Sequence, residues 1–284
     1  MYRKTGLVLE GGAMRGIFTA GIMDVMMEHG ISYDGAIGVS AGACFGCNYK
    51  SGQPGRVIRY VTRYSRDPRF CGIRSLVKTG DFFGADFCYR EIPDRLDPFD
   101  YEGFAASSMA FYVVATDART GEAVYHDCLS DGHAAMDWIR ASASMPLASK
   151  PVKIGKRELL DGGVADSVPL RRFESMGYAK NVVVLTQPRN YVKKPNKLLP
   201  AMRLCLKQYP GLLQAMEKRH TVYNASTRYV FRAEEEGRAF VFCPDVPLPI
   251  RRTETDPVII NRVYQIGRKT AEARLDDLVR FLQR

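Results

Sequence analysis

The stretches LVLEGGAMRGIFTAGIMDVMMEHG, residues 7–30, and AIGVSAG, residues 36–42, decide the fold of this chain. The apolar run that opens the first stretch predicts a short buried strand. Apolar residues at helical spacing then predict a helix over Ile17–Glu28, which Gly30 is suited to end. A second apolar strand over Ala36–Val39 leads to a helix over Ala41–Lys50. This order predicts a βαβ unit with parallel strands.

The rest of the chain continues the alternation of strands and helices. We expect strands at 110–116, 122–125, 181–186 and 239–243, and helices at 136–143, 197–231 and 258–282, with a break at Pro210-Gly211. The pair 110–116 and 122–125 is interpreted as a hairpin. The predicted fold class is α/β, a three-layer α/β/α sandwich with a mostly parallel central sheet.

No linker or internal repeat divides the chain, so we predict a single domain over residues 1–284. Its motif-bearing part covers about 4–186. Residues 56–100, rich in Arg, Tyr, Phe and Gly, are interpreted as a lid-like insertion over one side of the sheet. Residues 197–284 form a helical C-terminal part.

Composition and charge limit the classes of function. Hydrophobic residues make up 46% and charged residues 25%, which is typical of a globular protein. The net charge of +10 favours anionic partners, yet no basic tail or RNA-type aromatic motif is present, so no nucleic acid is expected. Weak peripheral contact with an anionic membrane stays open as an alternative to a solvated basic surface.

The sequence also predicts the compartment. It has no signal-peptide pattern and no run of about 18 apolar residues, so a cytoplasmic protein is expected, with peripheral membrane contact as the alternative. Seven cysteines are interpreted as reduced. The pair Cys44-x-x-Cys47 lies in a predicted buried helix without a second pair at zinc spacing, so no metal site is expected.

A serine occupies the turn after the second strand. Gly38-Val39-Ser40-Ala41-Gly42 fits G-x-S-x-G, in which small neighbours allow the sharp strand-to-helix turn that exposes a nucleophilic hydroxyl. The strand before it and the helix after it match the required context. These five residues fit equally a tight βα turn with an N-capping serine.

A glycine-rich loop, residues 11–16, follows the first strand. Such a loop presents main-chain N–H groups to an anion, either a phosphate or the oxyanion of a reacting ester. A dinucleotide site would also use it, with Asp34 near the position of a ribose-binding acid. The loop is degenerate for that purpose, because Ala13 replaces its second glycine.

The third element is Asp161-Gly162-Gly163, which follows Leu159-Leu160. An acid at a strand end, beside two glycines, can approach another loop closely. Asp-Gly is also common in plain hairpin turns, so this signal is weak by itself.

Together the three elements are specific. The segments LVLEGGAMRG (7–16), IGVSAG (37–42) and ELLDGGVADSVPL (158–170) resemble the patatin-like phospholipase family, as does ASASMPLASKPV (141–152). The resemblance covers most of Lys4 to Thr186 and is vague after Gln187. It implies a serine acyl hydrolase that cleaves fatty acyl esters of phospholipids or lysophospholipids without a cofactor.

The resemblance also assigns residues. It implies a dyad in which Ser40 is the nucleophile and Asp161 the base, and an oxyanion hole from Gly11, Gly12 and Ala13 with Arg15 beside it. The supporting motif glycines are Gly16, Gly38, Gly42, Gly162 and Gly163. Two positions depart from the family pattern, since Ala13 replaces a third glycine and Ser167 stands where many members carry Asn. The Ala13 N–H survives, so we expect a slightly crowded but intact hole.

Several alternatives stay open at this point. The 11–16 loop would also suit a nucleotide- or phosphate-binding module, and the chain could be a non-catalytic lipid-binding protein. A triad through His220 is disfavoured, because the elbow comes too early and residues 217–220 are interpreted as a solvated basic helix face. Trp138 is expected to pack in the core, and 198–215 to pack on the sheet rather than touch membrane. Six residues would line an acyl channel or pack a lid: Arg69, Phe70, Phe82, Phe83, Phe87 and Tyr89.

Overall fold

The computed structural model describes residues 4–129 and 131–283, which surround one eight-stranded sheet. The strands are β1 (Lys4–Leu9), β2 (Gly35–Val39), β3 (Ala110–Asp117), β4 (Ala123–Asp127), β5 (Val152–Ile154), β6 (Arg157–Asp161), β7 (Tyr178–Val184) and β8 (Ala239–Phe242). Parallel pairs join β3 to β2, β2 to β1, β1 to β7 and β7 to β8. Antiparallel pairs join β3 to β4, β3 to β6, and β5 to β6.

Helices cover both faces of this sheet. They are α1 (Gly16–Glu28), α2 (Ala41–Lys50), α3 (Arg56–Tyr64), α4 (Ile73–Thr79), α5 (Tyr101–Ala106), α6 (Ala135–Ala143), α7 (Leu170–Ser175), α8 (Leu199–Cys205), α9 (Pro210–Glu235), α10 (Pro257–Glu272) and α11 (Leu275–Gln283). A π-helical segment spans Phe87–Leu96. One core contains α1, α2, α3 and α10, and the other contains α7 and α9. The predicted three-layer α/β/α fold, with a mainly parallel central sheet, is therefore confirmed.

Strands β2 and β6 lie on the same edge of β3, and their last residues occupy neighbouring positions along it. Residues 112–114 of β3 pair with both β2 and β4, so these two strands occupy opposite edges. Residues 115–116 pair with both β4 and β6, which places β6 on the same edge as β2. The register runs Val39 opposite Val114, then Asp161 opposite Ala115. The residue after β2 and the last residue of β6 are consequently neighbours.

The C-terminal helix α10 crosses α1 at very close range. A Cβ on Gly267 would meet the main chain of Phe18, and a Cβ on Gly21 would lie 2.9 Å from the Arg268 nitrogen. Two glycines facing each other allow this approach, which helps to bury α1 on almost every side. Helix α1 is thereby enclosed between the sheet and α10.

Most predicted elements are confirmed, and the short helices α5 and α7 are among the elements that have no sequence prediction. The short hairpin strand β5 has no sequence prediction, since its three residues are too few for a periodic pattern. The predicted terminal helix is two helices, α10 and α11, separated at Ala273-Arg274. The break expected at Pro210-Gly211 is confirmed, because α8 ends at Cys205 and Pro210 is the first residue of α9, a position that proline favours. The division into one domain with a lid-like 56–100 insertion stays a prediction.

Candidate active site

The Ser40 turn has the strained geometry expected of a nucleophile elbow. Its φ of 54° and ψ of −121° are rare for a residue with a side chain. The Ser40 carbonyl accepts the first hydrogen bonds of α2, from the amides of Ala43 and Cys44 at 2.9 and 3.0 Å. A Cβ on Gly38 would lie 2.6 Å from the Gly42 carbonyl oxygen, and one on Gly42 would lie 2.8 Å from the Leu9 carbonyl carbon. Small residues are therefore required on both sides of the serine.

Ser142 of α6 forms a hydrogen bond with the main chain of this turn. The Ser40 amide donates to Ser142 Oγ at 2.8 Å, and the Ser142 hydroxyl donates to the Val114 carbonyl at 2.5 Å. Ser142 is fully buried. Sequence reasoning did not single it out, although it lies in the segment 141–152 that contributed to the family resemblance. One hydroxyl thus connects the elbow to the neighbouring strand β3.

Asp161 faces the Ser40 hydroxyl. Ser40 Oγ donates to Asp161 Oδ2 at 2.7 Å, and the Gly163 amide donates to Asp161 Oδ1 at 2.7 Å. Burial raises the pKa of the Asp161 carboxyl, while the Arg219 charge and the two hydrogen bonds oppose that rise. The carboxylate is 5% exposed, so its environment makes it a stronger base than a solvated aspartate.

The glycine-rich loop lies directly against the serine. A Cβ on Gly11 would lie 2.8 Å from Ser40 Cβ, so only glycine permits the approach. Within residues 4–129 and 131–283, the main-chain amides of Gly11, Gly12 and Ala13 donate to no acceptor. Ala13 has a φ of 50°, the left-handed conformation that glycine tolerates better. Three unused main-chain donors therefore belong to the loop that contacts Ser40.

Glu10 and Arg15 flank this loop. Glu10 is 1% exposed and accepts hydrogen bonds from the Thr186 amide and hydroxyl and from the Tyr223 hydroxyl, at 2.5–3.1 Å. Arg15 Nε is buried and has no hydrogen-bond partner among the described residues. Burial lowers the pKa of Arg15, with the Glu10 carboxylate opposing. Three hydrogen bonds thus anchor Glu10 at the start of the loop, whereas the buried Arg15 Nε has no acceptor among the described residues.

Two cavities meet at Ser40, and Ala13 and Met145 also line both. The first, of about 100 Å³, has mostly apolar walls from α2, α6 and the segment 70–93. Of the aromatic residues singled out in the sequence, Phe70, Phe83 and Tyr89 line this cavity. Phe87 is buried in the core, while Arg69 pairs with Asp67 and Glu91 on the surface. The aromatic segment thus contributes both to a channel and to packing.

The interpretation of residues 217–220 as a solvated helix face is wrong for two of its members. Arg219 and His220 of α9 are half-buried and line the second cavity, of about 580 Å³. Arg219 Nε donates to the Gly163 carbonyl at 2.5 Å. His220 makes no hydrogen bond to Ser40 or Asp161; its ring contacts Thr221 at 3.4 Å.

Asp34, the candidate ribose-binding acid, and the histidine His126 both have structural roles. The Asp34 carboxylate accepts hydrogen bonds from the Thr5 amide and hydroxyl at 2.6 and 3.0 Å, which ties β1 to the start of β2. His126 stacks on Trp138 at 3.8 Å and bonds Asp131 at 2.5 Å. Together with Cys128, His126 and Asp131 form the cluster of possible metal ligands found among the described residues. Stacking and the histidine–aspartate hydrogen bond account for the positions of His126 and Asp131.

Comparison with known proteins now decides the family. A model described as patatin-like phospholipase matches residues 7–173, more than half of the chain. The chain belongs to the patatin-like phospholipase family. It is a lipid acyl hydrolase by this membership. A further model, a domain of unknown function (DUF6363), matches residues 209–283 of this patatin-like chain, which include α9, α10 and α11.

Individual relatives agree with the family assignment. The uncharacterized protein YjjU of Escherichia coli is 26% identical over 93% of this chain and 75% of its own length. The lysophospholipase nte1 of Emericella nidulans is 28% identical over 62% of this chain, but the match spans only 11% of that protein. Among solved structures, VipD from Legionella pneumophila superposes with a TM-score of 0.50 at 13% identity, covering 97% of this chain and 67% of VipD. The last likeness concerns the fold alone. In the described part of this patatin-like chain, no helix combines the length and apolar character needed to span a bilayer.

Proposed function

We propose that this protein hydrolyses fatty acyl esters of phospholipids or lysophospholipids through a Ser40–Asp161 dyad. The observation that carries the proposal is the 2.7 Å hydrogen bond from Ser40 Oγ to Asp161 Oδ2, beside three unused main-chain amides. Hydroxyl, carboxylate and amide donors are the three groups that acyl transfer to an alcohol requires.

The first step is attack on the acyl carbonyl. Ser40 Oγ forms the new C–O bond while its proton moves along the existing hydrogen bond to Asp161 Oδ2. The carbonyl oxygen becomes negative and accepts hydrogen bonds from the amides of Gly11, Gly12 and Ala13. One such donor is worth about 3 kcal/mol of barrier. Collapse of the tetrahedral intermediate releases the alcohol, which takes the proton from Asp161, and leaves an acyl-serine.

The second step returns the enzyme to its resting form. Water replaces the departed alcohol, Asp161 accepts one water proton, and the hydroxide oxygen attacks the acyl-serine carbonyl. The same amides stabilise the second oxyanion, after which Ser40 Oγ leaves as the fatty acid forms and recovers its proton from Asp161. The Gly163 amide, which bonds the other carboxylate oxygen at 2.7 Å, keeps Oδ2 directed at the reacting atoms throughout.

The division of the site into two cavities supports a lipid ester. An acyl chain fits the apolar cavity lined by Phe70, Phe83 and Tyr89, and the alcohol side of the ester fits the larger polar cavity. Relatives named lysophospholipase, such as nte1 of Emericella nidulans, favour a glycerophospholipid as that ester.

Hydrolysis of p-nitrophenyl esters of increasing acyl length tests the dyad. We expect Ser40→Ala and Asp161→Asn each to lower kcat by about 10³-fold or more, since each removes one member of a unit that acts together. Asp166→Asn is the matched control, because Asp166 is a nearby half-buried aspartate whose pKa is also raised by desolvation, and it bonds Tyr125 rather than Ser40. Equal rates in the wild type, Ser40→Ala and Asp161→Asn would refute the dyad.

Two measurements separate this proposal from the binding alternatives. A fluorophosphonate probe is expected to label the wild type and not Ser40→Ala, whereas a non-catalytic lipid-binding protein would remain unlabelled in both. A nucleotide-binding module would show a large thermal shift with NAD, ATP or CoA that survives Ser40→Ala, and we expect none.

Peripheral contact with an anionic membrane is a further part of the proposal. Its support is the net charge of +10 and a pair of exposed apolar residues on α4, Ile73 and Val77, flanked by Arg74 and Lys78. Co-sedimentation with vesicles of phosphatidylglycerol is expected to exceed that with phosphatidylcholine, and to weaken in Ile73→Ser. Equal recovery with both vesicles would contradict it.

A further inference from the structure

The second cavity at Ser40 carries an excess of positive charge. Its walls contain two acidic residues, Glu10 and Asp161, both occupied by internal hydrogen bonds. Against them stand five cations: Arg15, Lys193, Lys194, Arg219 and Arg252. This cavity receives the alcohol side of the ester if the acyl chain enters the apolar cavity, so its charge bears directly on the leaving headgroup.

Three of these cations come from separate parts of the chain and lack acidic partners. Lys193 follows β7, Arg219 lies on α9, and Arg252 precedes α10. Within the described ranges 4–129 and 131–283, none of the three has an acidic group within salt-bridge distance. Arginines elsewhere pair readily, as Arg268 does with Glu28 at 2.7 Å. All three residues also lie outside residues 7–173, the part that the family model matches.

Of the three cations, Lys193 and Arg219 are half-buried and Arg252 is exposed. Gathering them without an acidic partner is unfavourable unless an anion binds between them. Burial and the charges of Arg219, Arg252 and Arg15 lower the pKa of Lys193 to about 8. Burial likewise lowers the pKa of Arg219, with Arg252 adding to that effect and Asp161 opposing it. A bound anion would relieve both the repulsion and the lost hydration, as charge-assisted contacts to phosphate do elsewhere.

The same cavity is poorly suited to a cationic headgroup. Recognition of a quaternary ammonium needs an open aromatic face or a free carboxylate. Tyr191 and Tyr223 line this cavity, but Lys193 Nζ already lies over both rings, at 5.9 and 4.1 Å from their centroids. The Tyr223 hydroxyl donates to Glu10 at 2.8 Å, and Glu10 is thereby occupied. A choline or ethanolamine group would therefore lie near positively charged side chains, without an open aromatic face or a free carboxylate among these residues.

We propose that Lys193, Arg219 and Arg252 form an anion-binding subsite for the headgroup phosphate, so that the enzyme prefers net-negative lipids to zwitterionic ones. The inference rests on the proposed hydrolysis at Ser40 and specifies its substrate class. Lysophosphatidic acid and lysophosphatidylglycerol are the chemical types that satisfy it, and lysophosphatidylcholine is the type that it disfavours.

The test compares monomeric lysolipids of one short acyl chain, below the concentration at which they form micelles, so that surface charge plays no part. We expect kcat/KM for the phosphatidic acid and phosphatidylglycerol types to exceed that for the choline type by about 10-fold or more. Lys193→Gln and Arg252→Gln should each reduce this ratio several-fold. Lys207→Gln, on an exposed loop, is the matched control and should keep it. Arg219 is left intact, because it also bonds the Gly163 carbonyl.

The outcomes distinguish this inference from the proposed function. Ser40-dependent hydrolysis with a ratio near one, or variants that match Lys207→Gln, would overturn the subsite and leave the dyad standing. Absence of Ser40-dependent hydrolysis of any ester would remove the proposed function itself, and the inference with it. If inorganic phosphate inhibits hydrolysis of an uncharged ester while anionic lipids gain no preference, the cluster binds free phosphate and the headgroup assignment is wrong.

Discussion

Ser142→Ala tests whether a buried hydroxyl holds the Ser40 turn in its strained conformation. The substitution removes the acceptor of the Ser40 amide, at 2.8 Å, and the donor to the Val114 carbonyl, at 2.5 Å. Both partners lie away from solvent, because Ser40 is 8% exposed and Val114 is fully buried. No other acceptor for the Ser40 amide exists among the described residues.

The cost follows from leaving these groups unpaired. A buried donor without a partner costs about 1–3 kcal/mol, and an unpaired carbonyl somewhat less. We therefore expect Ser142→Ala to lower the free energy of unfolding by about 2–4 kcal/mol. With an unfolding entropy of roughly 2.1 cal/mol/K per residue, this lowers Tm of the 284-residue chain by about 3–7 °C. Displacement of Ser40 Oγ should also reduce kcat by about 10- to 100-fold.

Thermal unfolding and hydrolysis of a p-nitrophenyl ester measure the two effects. Ser144→Ala is the matched control, since Ser144 is similarly buried but donates only to the Arg140 carbonyl one turn earlier, at 2.8 Å. That change should cost less than about 1 kcal/mol and leave kcat close to the wild-type value. If Ser142→Ala and Ser144→Ala behave alike in both measurements, the proposed support of the elbow by Ser142 is incorrect.

Three other predictions concern the same site. Gly42→Ala should lower the free energy of unfolding in urea by about 1–3 kcal/mol, because its Cβ meets the Leu9 main chain. Gly46→Ala should cost less, because its Cβ meets the movable end of the Leu9 side chain. Equal losses of stability in the two variants would contradict this. In the pH profile of kcat/KM for an uncharged ester, the apparent pKa of the acidic limb should exceed that of a solvated aspartate. Burial raises the pKa of Asp161, and only the ionised carboxylate accepts the Ser40 proton. An apparent pKa in the ordinary aspartate range would argue against Asp161 as base. Phe83→Ala enlarges the apolar cavity and should shift the preference among p-nitrophenyl esters to a longer acyl chain. An unchanged preference would mean that the acyl chain binds outside this cavity.

The sequence predicted the first βαβ unit and the order of motifs because those signals are local. A strand, a glycine-rich turn and a helix succeed one another within fifty residues, and their periodicity requires no knowledge of distant contacts. The family resemblance then supplied what periodicity does not, namely that Ser40 and Asp161, 121 positions apart, approach each other. The structure places these two side chains in hydrogen-bond contact; their roles stay proposals.

Sequence reasoning could not predict the cationic residues that line the second cavity. On α9, Lys218 and Arg219 are adjacent basic residues, yet only Arg219 points toward the Gly163 loop. A basic helix face has the same pattern whether it meets water or lines a cavity, because the pattern does not record what packs against it. Lys193 and Arg252 lie in loops, where no periodicity exists to indicate a direction.

Because β2 and β6 lie on one edge of β3, the distance between Ser40 and Asp161 depends on strand register. The smallest slip of β6 that keeps its side chains on the same faces is two residues, which would carry Asp161 about 7 Å from its present place. The spacing of the two proposed reacting atoms is thus set by the main-chain ladder of β3. Helices that do not contact the Ser40 turn can diverge without altering it, whereas a change of register between β6 and β3 would separate Asp161 from Ser40.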